Sequence, residues 1–81
     1  MLKIKKNFDL KELKNYGFVV NDENNGYEYK KEDYTIFVYR GDQDLFKKRV
    51  VYIETNYSTI IDDIDIIIEL IFYGIIVYEK S

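Results

Sequence analysis

The sequence predicts one α+β domain over residues 1–81: a short N-terminal helix, an antiparallel sheet of four to five strands, and one long C-terminal helix packed on one face of the sheet. Three observations lead to this prediction. The chain has 12 Ile, 9 Tyr and 5 Phe, and β-branched and aromatic side chains favour strands. The middle of the chain contains alternating or two-sided apolar segments, which are typical of strands. Aliphatic residues at helical spacing follow them, so the strands are grouped between two helices.

The first helix is expected in the segment NFDLKELKNYGF. Asn7 or Asp9 can cap its N-terminus. Leu10 and Leu13 fall at helical spacing, and Gly17 is expected to end the helix in the left-handed conformation that glycine adopts easily. The segment therefore predicts a short helix.

Four strands are expected between the two helices, and a fifth after them. Asn25 and Gly26 form the residue pair that a two-residue hairpin turn requires, because both turn positions need positive φ. The segment YTIFVYR is apolar on both faces, which predicts a central strand. The expected strands cover residues 18–20, 27–31, 34–40, 47–55 and 75–80.

The long C-terminal helix is expected over residues 58–73, with Thr59 as its N-cap and Gly74 after its last turn. On a helical wheel with about 100° per residue, aliphatic and acidic side chains separate onto opposite sides. The side expected to face the sheet comprises Ile60, Ile61, Ile64, Ile67, Ile68 and Ile71, with Leu70 and Phe72 at its edges. The opposite side carries Asp62, Asp65, Glu69 and Tyr73, with Ile66 beside them towards the outside.

The composition argues against most catalytic chemistry. The chain has no Cys, so it can form neither a disulfide nor a thiolate metal site. It has no His, the commonest general base and the commonest transition-metal ligand. It also has no phosphate-binding glycine loop and no nucleophile elbow. We therefore expect a protein that is not an enzyme and that needs no metal and no cofactor.

The carboxylates of the long helix have several interpretations. Asp62, Asp65 and Glu69 could be metal ligands, but three carboxylates on one helix face cannot enclose an ion without ligands from elsewhere. An acid–base pair would need a cleft that separates the two pKa values, and an exposed helix face supplies none. Two interpretations remain: a solvated face, or a partner-binding surface that selects a Lys- and Arg-rich protein. This candidate surface comprises Asp62, Asp65, Ile66, Glu69 and Tyr73.

A nucleic-acid-binding or regulatory module is the first alternative. Tyrosines on predicted strands could stack single-stranded bases, and Lys47, Lys48 and Arg49 could contact phosphates. The competing interpretations are that tyrosines fill half-buried strand positions and that the basic run protects an edge strand. A homodimeric structural protein is the second alternative, because the long helix is apolar around more than half its circumference. The tyrosines concerned are Tyr27, Tyr29, Tyr34, Tyr39 and Tyr52.

The charge distribution and the N-terminus bear on partners and location. The net charge is −3; residues 1–53 carry 11 basic and 9 acidic side chains, and residues 54–81 carry 1 and 6. Strong non-specific nucleic-acid binding requires the opposite sign, so nucleic acid is not expected as a direct ligand. The N-terminal segment lacks the apolar run of a signal peptide, and its lysines suggest a solubilising arm. Acidic residues interrupt the most apolar window, residues 60–78, so we expect no membrane association and a location in the cytoplasm.

Both ends of the chain resemble small accessory proteins of phages and prophages in low-GC Gram-positive bacteria. The resemblance is carried by the leading segment FDLKELKNYGF and by the closing segment IIELIFYGIIVYEK. The matching positions are Leu10, Leu13, Tyr16, Gly17 and Phe18, then Leu70, Ile71, Gly74 and Val77. These residues are helix caps and core positions, and none of them is catalytic.

The resemblance implies a function, because such accessory proteins include anti-CRISPR inhibitors. By this similarity the protein is expected to act in the bacterial host cytoplasm as a non-enzymatic inhibitor of a host defence protein with a basic surface, specifically a Cas effector nuclease. Asp62, Asp65 and Glu69 are the carboxylates that could carry that role. A net charge of −3 is small for a full mimic of DNA, so local blocking or allosteric binding is expected instead.

Overall fold

The structure is a computed structural model that describes residues 1–41, 44–55 and 64–79. Its strands are β1 Leu2–Ile4, β2 Val19–Asn21, β3 Gly26–Lys30, β4 Tyr34–Tyr39, β5 Val51–Thr55 and β6 Ile76–Tyr78. The α-helix α1 covers Asp65–Phe72, and two 3₁₀ helices cover Leu10–Tyr16 and Leu45–Lys47. The predicted α+β class with antiparallel pairing is therefore confirmed.

The strands form two antiparallel sheets. One has four strands in the order β2-β3-β4-β5, and the other pairs β1 with β6. The expected fifth strand therefore does not extend the four-stranded sheet, because it pairs with β1, a strand that the pattern did not predict. An isolated bridge between Lys3 and Val50 joins the two sheets, and the backbone N–H of Ile4 donates to the carbonyl of Arg49 at 2.9 Å. The expected N-terminal lysine arm is wrong: the buried side chain of Ile4 and the pairing of Lys3 with Val77 make this segment a strand.

The predicted limits of the first helix are confirmed, although the helix is of the 3₁₀ type. The Asp9 carboxylate accepts a hydrogen bond from the backbone N–H of Lys11 at 3.0 Å. Gly17 ends the helix with a φ of 96°, and its N–H donates to the carbonyl of Lys14 at 3.2 Å. This helix buries Leu13, which ties it to the core.

The turn between β2 and β3 differs from the two-residue hairpin that the Asn25-Gly26 pair predicts. Asn21 pairs with Gly26, so the loop contains the four residues 22–25, and Asn25 has a φ of 56°. Gly26 lies within β3 instead of in the turn. A Cβ there would overlap the carbonyl oxygen of Val38 and lie 2.5 Å from Cζ of Phe37. Glycine is thus needed for close packing in the sheet, not for turn geometry.

One face of the four-stranded sheet covers the hydrophobic core. Strand register places Ile36 and Val38 of β4 beside Tyr29 and Tyr27 of β3, and Val51 of β5 pairs with Val38. The same cluster takes in residues from β1, α1 and the segment after α1. Its further members are Ile4, Phe8, Leu13, Phe18, Ile64, Ile66, Ile67, Leu70, Ile75 and Ile76.

Helix α1 begins later than the sequence pattern predicts. Ile64 is extended, with φ −91° and ψ 97°, and completely buried, so the helix begins at Asp65 and has eight residues. The expected start at residue 58, the cap at Thr59 and Asp62 lie outside the described residues. The predicted end is confirmed: Gly74 has a φ of 74°, and its N–H donates to the carbonyl of Ile71 at 2.9 Å.

The helix is also rotated relative to the predicted wheel. Ile66 is 8% exposed and packs in the core with Ile67 and Leu70, whereas Ile68 is 48% exposed. The predicted position of Ile66 towards the outside, and the burial predicted for Ile68 and Ile71, are therefore wrong. Aliphatic residues surround most of this segment, so its 3.6-residue period fits more than one face, and the observed face buries Ile66, Ile67 and Leu70.

Candidate protein-docking surface

The outward side of α1 combines carboxylates with exposed apolar side chains. We define the outer helix surface as Asp65, Ile68, Glu69, Phe72 and Tyr73, all of them exposed. Phe72 is 84% exposed, although burying a Phe side chain ordinarily stabilises the folded state. The two ring centroids of Phe72 and Tyr73 lie 5.8 Å apart in an edge-on arrangement.

Helix geometry explains why these residues share one side. Asp65, Ile68 and Phe72 follow one another at spacings of three and four, which places them along one stripe. Glu69 lies next to this stripe, four residues after Asp65. The opposite side, formed by Ile66 and Leu70 with their neighbours, packs in the core. The burial of one side therefore determines which side chains point outwards.

The carboxylates of this surface are available to a partner. Within the described ranges, neither Asp65 nor Glu69 forms a side-chain hydrogen bond or an ion pair. A cationic side chain from another protein could therefore pair with each of them without displacing an internal contact.

The negative charge of Asp65 also reaches the four-stranded sheet. Burial raises the pKa of the Tyr34 phenol above its ordinary value, and Tyr29 and the negative charge of Asp65 raise this pKa further. Tyr34 is the first residue of β4, so the start of α1 lies near the start of that strand. Because Asp65 begins α1, the pKa of Tyr34 measured by spectroscopy would report on the position of α1.

The predicted partner-binding residues have different outcomes. Asp65, Glu69 and Tyr73 lie together on the outer helix surface, whereas Ile66 is buried beneath it and Asp62 lies outside the described residues. Sequence reasoning missed Ile68 and Phe72 as exposed apolar members. The available signal was Phe72 itself, which the wheel placed at the edge of the predicted core.

The structure offers no support for metal chemistry in its described part. Among the residues of ranges 1–41, 44–55 and 64–79, no group of three or more Asp or Glu side chains could hold a metal ion. Nor does any helix in those ranges have the length and apolarity needed to cross a membrane. The chemistry that the outer helix surface offers is non-covalent: apolar contact and pairing with cations.

The basic run Lys47–Lys48–Arg49 is divided between two places. Lys47 ends the second 3₁₀ helix, and its Nζ lies 5.3 Å from the ring centroid of Tyr39. Lys48 and Arg49 line a separate cleft with residues of β1. Strand β5 begins at Val51 instead of residue 47, because Arg49 has a left-handed φ of 69° that interrupts extended backbone. The run is therefore neither an edge strand nor one continuous basic patch.

The strand tyrosines are divided between the two faces of the sheet. Tyr27, Tyr29 and Tyr34 lie on the face that covers the core. Tyr27 is buried there, and the other two are partly buried and pack against the core. Tyr39 and Tyr52 lie on the opposite, open face, together with Phe37. Five tyrosines on strands thus do not form one aromatic platform.

Comparisons with known proteins add no relative: no protein-family model, no curated protein and no solved structure matches this chain.

Proposed function

We propose that the protein is a non-enzymatic binding protein whose outer helix surface docks on a second protein. The observation that carries the proposal is the exposure of Phe72 beside two carboxylates that form no ion pair with any described residue. Ile68 and Phe72 stand four residues apart on an exposed helix face, the spacing with which helices insert apolar anchors into a groove. A partner with an apolar groove rimmed by Lys and Arg would complement both the exposed apolar side chains and the carboxylates of this surface.

The finer proposal is that this partner is a host defence protein, with a Cas effector nuclease as the leading candidate. Two arguments support it. The ends of the chain resemble phage and prophage accessory proteins, and such nucleases hold nucleic acid in a positively charged channel. The negative carboxylates of Asp65 and Glu69 are opposite in sign to that channel and could pair with its cations. With a net charge of −3, the protein acts by local blocking or allosteric binding.

The proposal is tested with purified Cas effector nucleases immobilised for interferometry and assayed for DNA cleavage. Wild type should bind at least one nuclease and inhibit it. Phe72→Ser should weaken binding about tenfold or more, as expected for an aromatic hot spot worth more than about 1.4 kcal/mol. Phe46→Ser is the matched control, since Phe46 is 93% exposed and lies in the second 3₁₀ helix, outside this surface.

Two outcomes separate the coarse proposal from the finer one. If no nuclease binds, the finer proposal is overturned, and the surface must be tested on other basic host proteins. If a nuclease binds and Phe72→Ser and Phe46→Ser weaken binding equally, the outer helix surface is not the docking site. Protection of a targeted plasmid in cells, lost with Phe72→Ser, would connect binding to inhibition.

A homodimer is the second candidate, and the exposed Ile68, Ile71 and Phe72 favour it specifically. Two copies could bury these side chains against each other in a symmetric interface. Light scattering coupled to size exclusion would then give the mass of a dimer, and Phe72→Ser would convert it to a monomer. A nucleic-acid-binding module has less support, since its tyrosines lie on two faces and its basic run is divided.

A further inference from the structure

A cationic cleft lies away from the outer helix surface. It has a volume of about 300 Å³, at the small end of the range for ligand pockets. The cleft shares no residue with the outer helix surface. It is lined by Lys3, Ile4, Lys6, Lys48, Arg49 and Glu79.

The fold brings two distant basic segments together at this cleft. Strand β1 bridges to Val50 through Lys3, and the N–H of Ile4 donates to the carbonyl of Arg49. The other side of β1 pairs with β6, and the N–H of Glu79 donates to the carbonyl of Met1 at 2.8 Å. Backbone pairing on both sides of β1 therefore holds the lining residues in place.

The cleft carries more positive than negative charge. Four cationic residues line it, and Glu79 is the lining carboxylate, 3.5 Å from Nζ of Lys3. Among the described residues, Lys6, Lys48 and Arg49 have no ion pair. Like charges held close together repel, and an anion bound between them would relieve that repulsion. The protein as a whole is acidic, so general basicity does not account for this cluster.

Arg49 is the most firmly placed cation of the cleft. Its Nη1 donates to the carbonyls of Lys5 at 3.1 Å and Phe8 at 2.7 Å. Among the described residues, Nη1 is the one guanidinium atom of Arg49 that donates a hydrogen bond, so Nε and Nη2 have no partner there. A guanidinium fixed by two carbonyls retains donors for an anion and loses little side-chain entropy when it binds one.

We propose that this cleft binds a small phosphate-bearing anion of the diphosphate class. Several cations around a small cleft match a ligand with more than one negative charge, and planar guanidinium and ammonium donors both suit phosphate oxygens. A single carboxylate ligand would leave most of the positive charge unbalanced.

Inorganic pyrophosphate is the probe, measured by calorimetry and by its effect on the thermal unfolding temperature. Wild type should bind one equivalent and unfold at a higher temperature with pyrophosphate, because a ligand of the folded state stabilises it. The double variant Lys6→Gln/Lys48→Gln should bind roughly tenfold more weakly or not at all. Lys11→Gln/Lys14→Gln is the matched control, since both lysines are exposed on the first 3₁₀ helix and outside the cleft.

Two further arms identify the source of the phosphate. A single-stranded oligonucleotide tests for a nucleic-acid backbone, and sodium sulfate at equal ionic strength tests for non-specific screening. Binding of pyrophosphate that is lost in the cleft variant and kept in the control supports the proposal. No binding, equal loss in both double variants, the same effect from sulfate, or binding of the oligonucleotide alone would each overturn it.

Discussion

Replacing Ile66 and Ile68 separately by alanine tests the rotation of α1. The first side chain is 8% exposed and the second 48% exposed, although they are two residues apart on one helix. The structure therefore predicts a large difference in their contributions to the free energy of unfolding. The wheel drawn from the sequence predicts the opposite order.

The expected magnitudes follow from burial. Ile→Ala removes three carbons, worth roughly 2.4 kcal/mol when fully buried, and a residual cavity adds to this loss. Ile66→Ala should therefore lower the free energy of unfolding by about 3 kcal/mol. Ile68→Ala removes side-chain area that is already about half in water, so its expected loss is about 1 kcal/mol. A domain of this size has roughly 4–12 kcal/mol in total, so the first loss is severe.

Urea denaturation followed by circular dichroism measures both values by linear extrapolation. The milder pair Ile66→Val and Ile68→Val covers the case in which Ile66→Ala does not fold, with about 1 kcal/mol expected for Ile66→Val and less for Ile68→Val. Equal losses at the two positions, or a larger loss at Ile68, would refute the observed rotation and with it the outer helix surface.

Three further predictions concern single side chains. The raised pKa of Tyr34 means that its protonated phenol stabilises the fold fully below about pH 10, and that this contribution is lost as the pH rises through the folded-state pKa. Between about pH 9 and pH 11, Tyr34→Phe should therefore lose less resistance to urea than wild type does. Asp65→Asn should lower the Tyr34 pKa in an ultraviolet titration. An unchanged titration would contradict the electrostatic coupling between Asp65 and Tyr34. Arg49→Met should lower the free energy of unfolding by about 2–3 kcal/mol, because two backbone carbonyls lose a charged donor. The exposed control Lys48→Met should change the free energy of unfolding by less than about 0.5 kcal/mol. Equal effects of the two substitutions would argue against the carbonyl contacts. Gly26→Ala should destabilise by about 1–3 kcal/mol in the same urea assay, because the added methyl meets the backbone carbonyl of Val38, and a neutral result would show that β3 and β4 pack less closely.

The parts of the fold with local chemical signals were predictable from sequence. Asp9 and Gly17 define the ends of the first helix through capping, which depends only on neighbouring residues. Gly74 marks the end of α1 for the same reason. Strand β4 is apolar on both faces and is paired on both sides, as its pattern predicts.

The parts that depend on distant contacts were not predictable. The segment around Lys3 becomes a strand only because β6 and Val50 pair with it from far along the chain. The orientation of α1 differs from the wheel through the burial of Ile66 and Leu70 in place of Ile68, and a helix with aliphatic residues on most sides does not encode one face. The exposure of Asp65 and Glu69 could be predicted because carboxylates avoid the core whichever aliphatic face is buried, whereas their role in binding a partner stays a prediction. Phe72 was missed because the wheel placed it only at the edge of the predicted core, and the side of the helix that is buried depends on contacts with the rest of the fold.

The cationic cleft was also not predictable from sequence, because distant segments of the chain form it. Lys48 and Arg49 were recognised as a basic run, but their neighbours in space are Lys3 and Lys6. Lys47, adjacent in sequence, faces Tyr39 instead. The chain leaves the second 3₁₀ helix at Lys48 and takes a left-handed φ at Arg49, and a positive φ at arginine cannot be inferred from sequence.

The central claim is that the outer helix surface docks on a basic protein partner, and its most direct test compares Phe72→Ser with Phe46→Ser. Both substitutions remove an exposed phenylalanine, so both should leave the free energy of unfolding nearly unchanged. Affinity for a Cas effector nuclease, measured by interferometry, should fall about tenfold or more with Phe72→Ser and stay within about twofold of wild type with Phe46→Ser. Equal affinities for wild type and Phe72→Ser would contradict the claim.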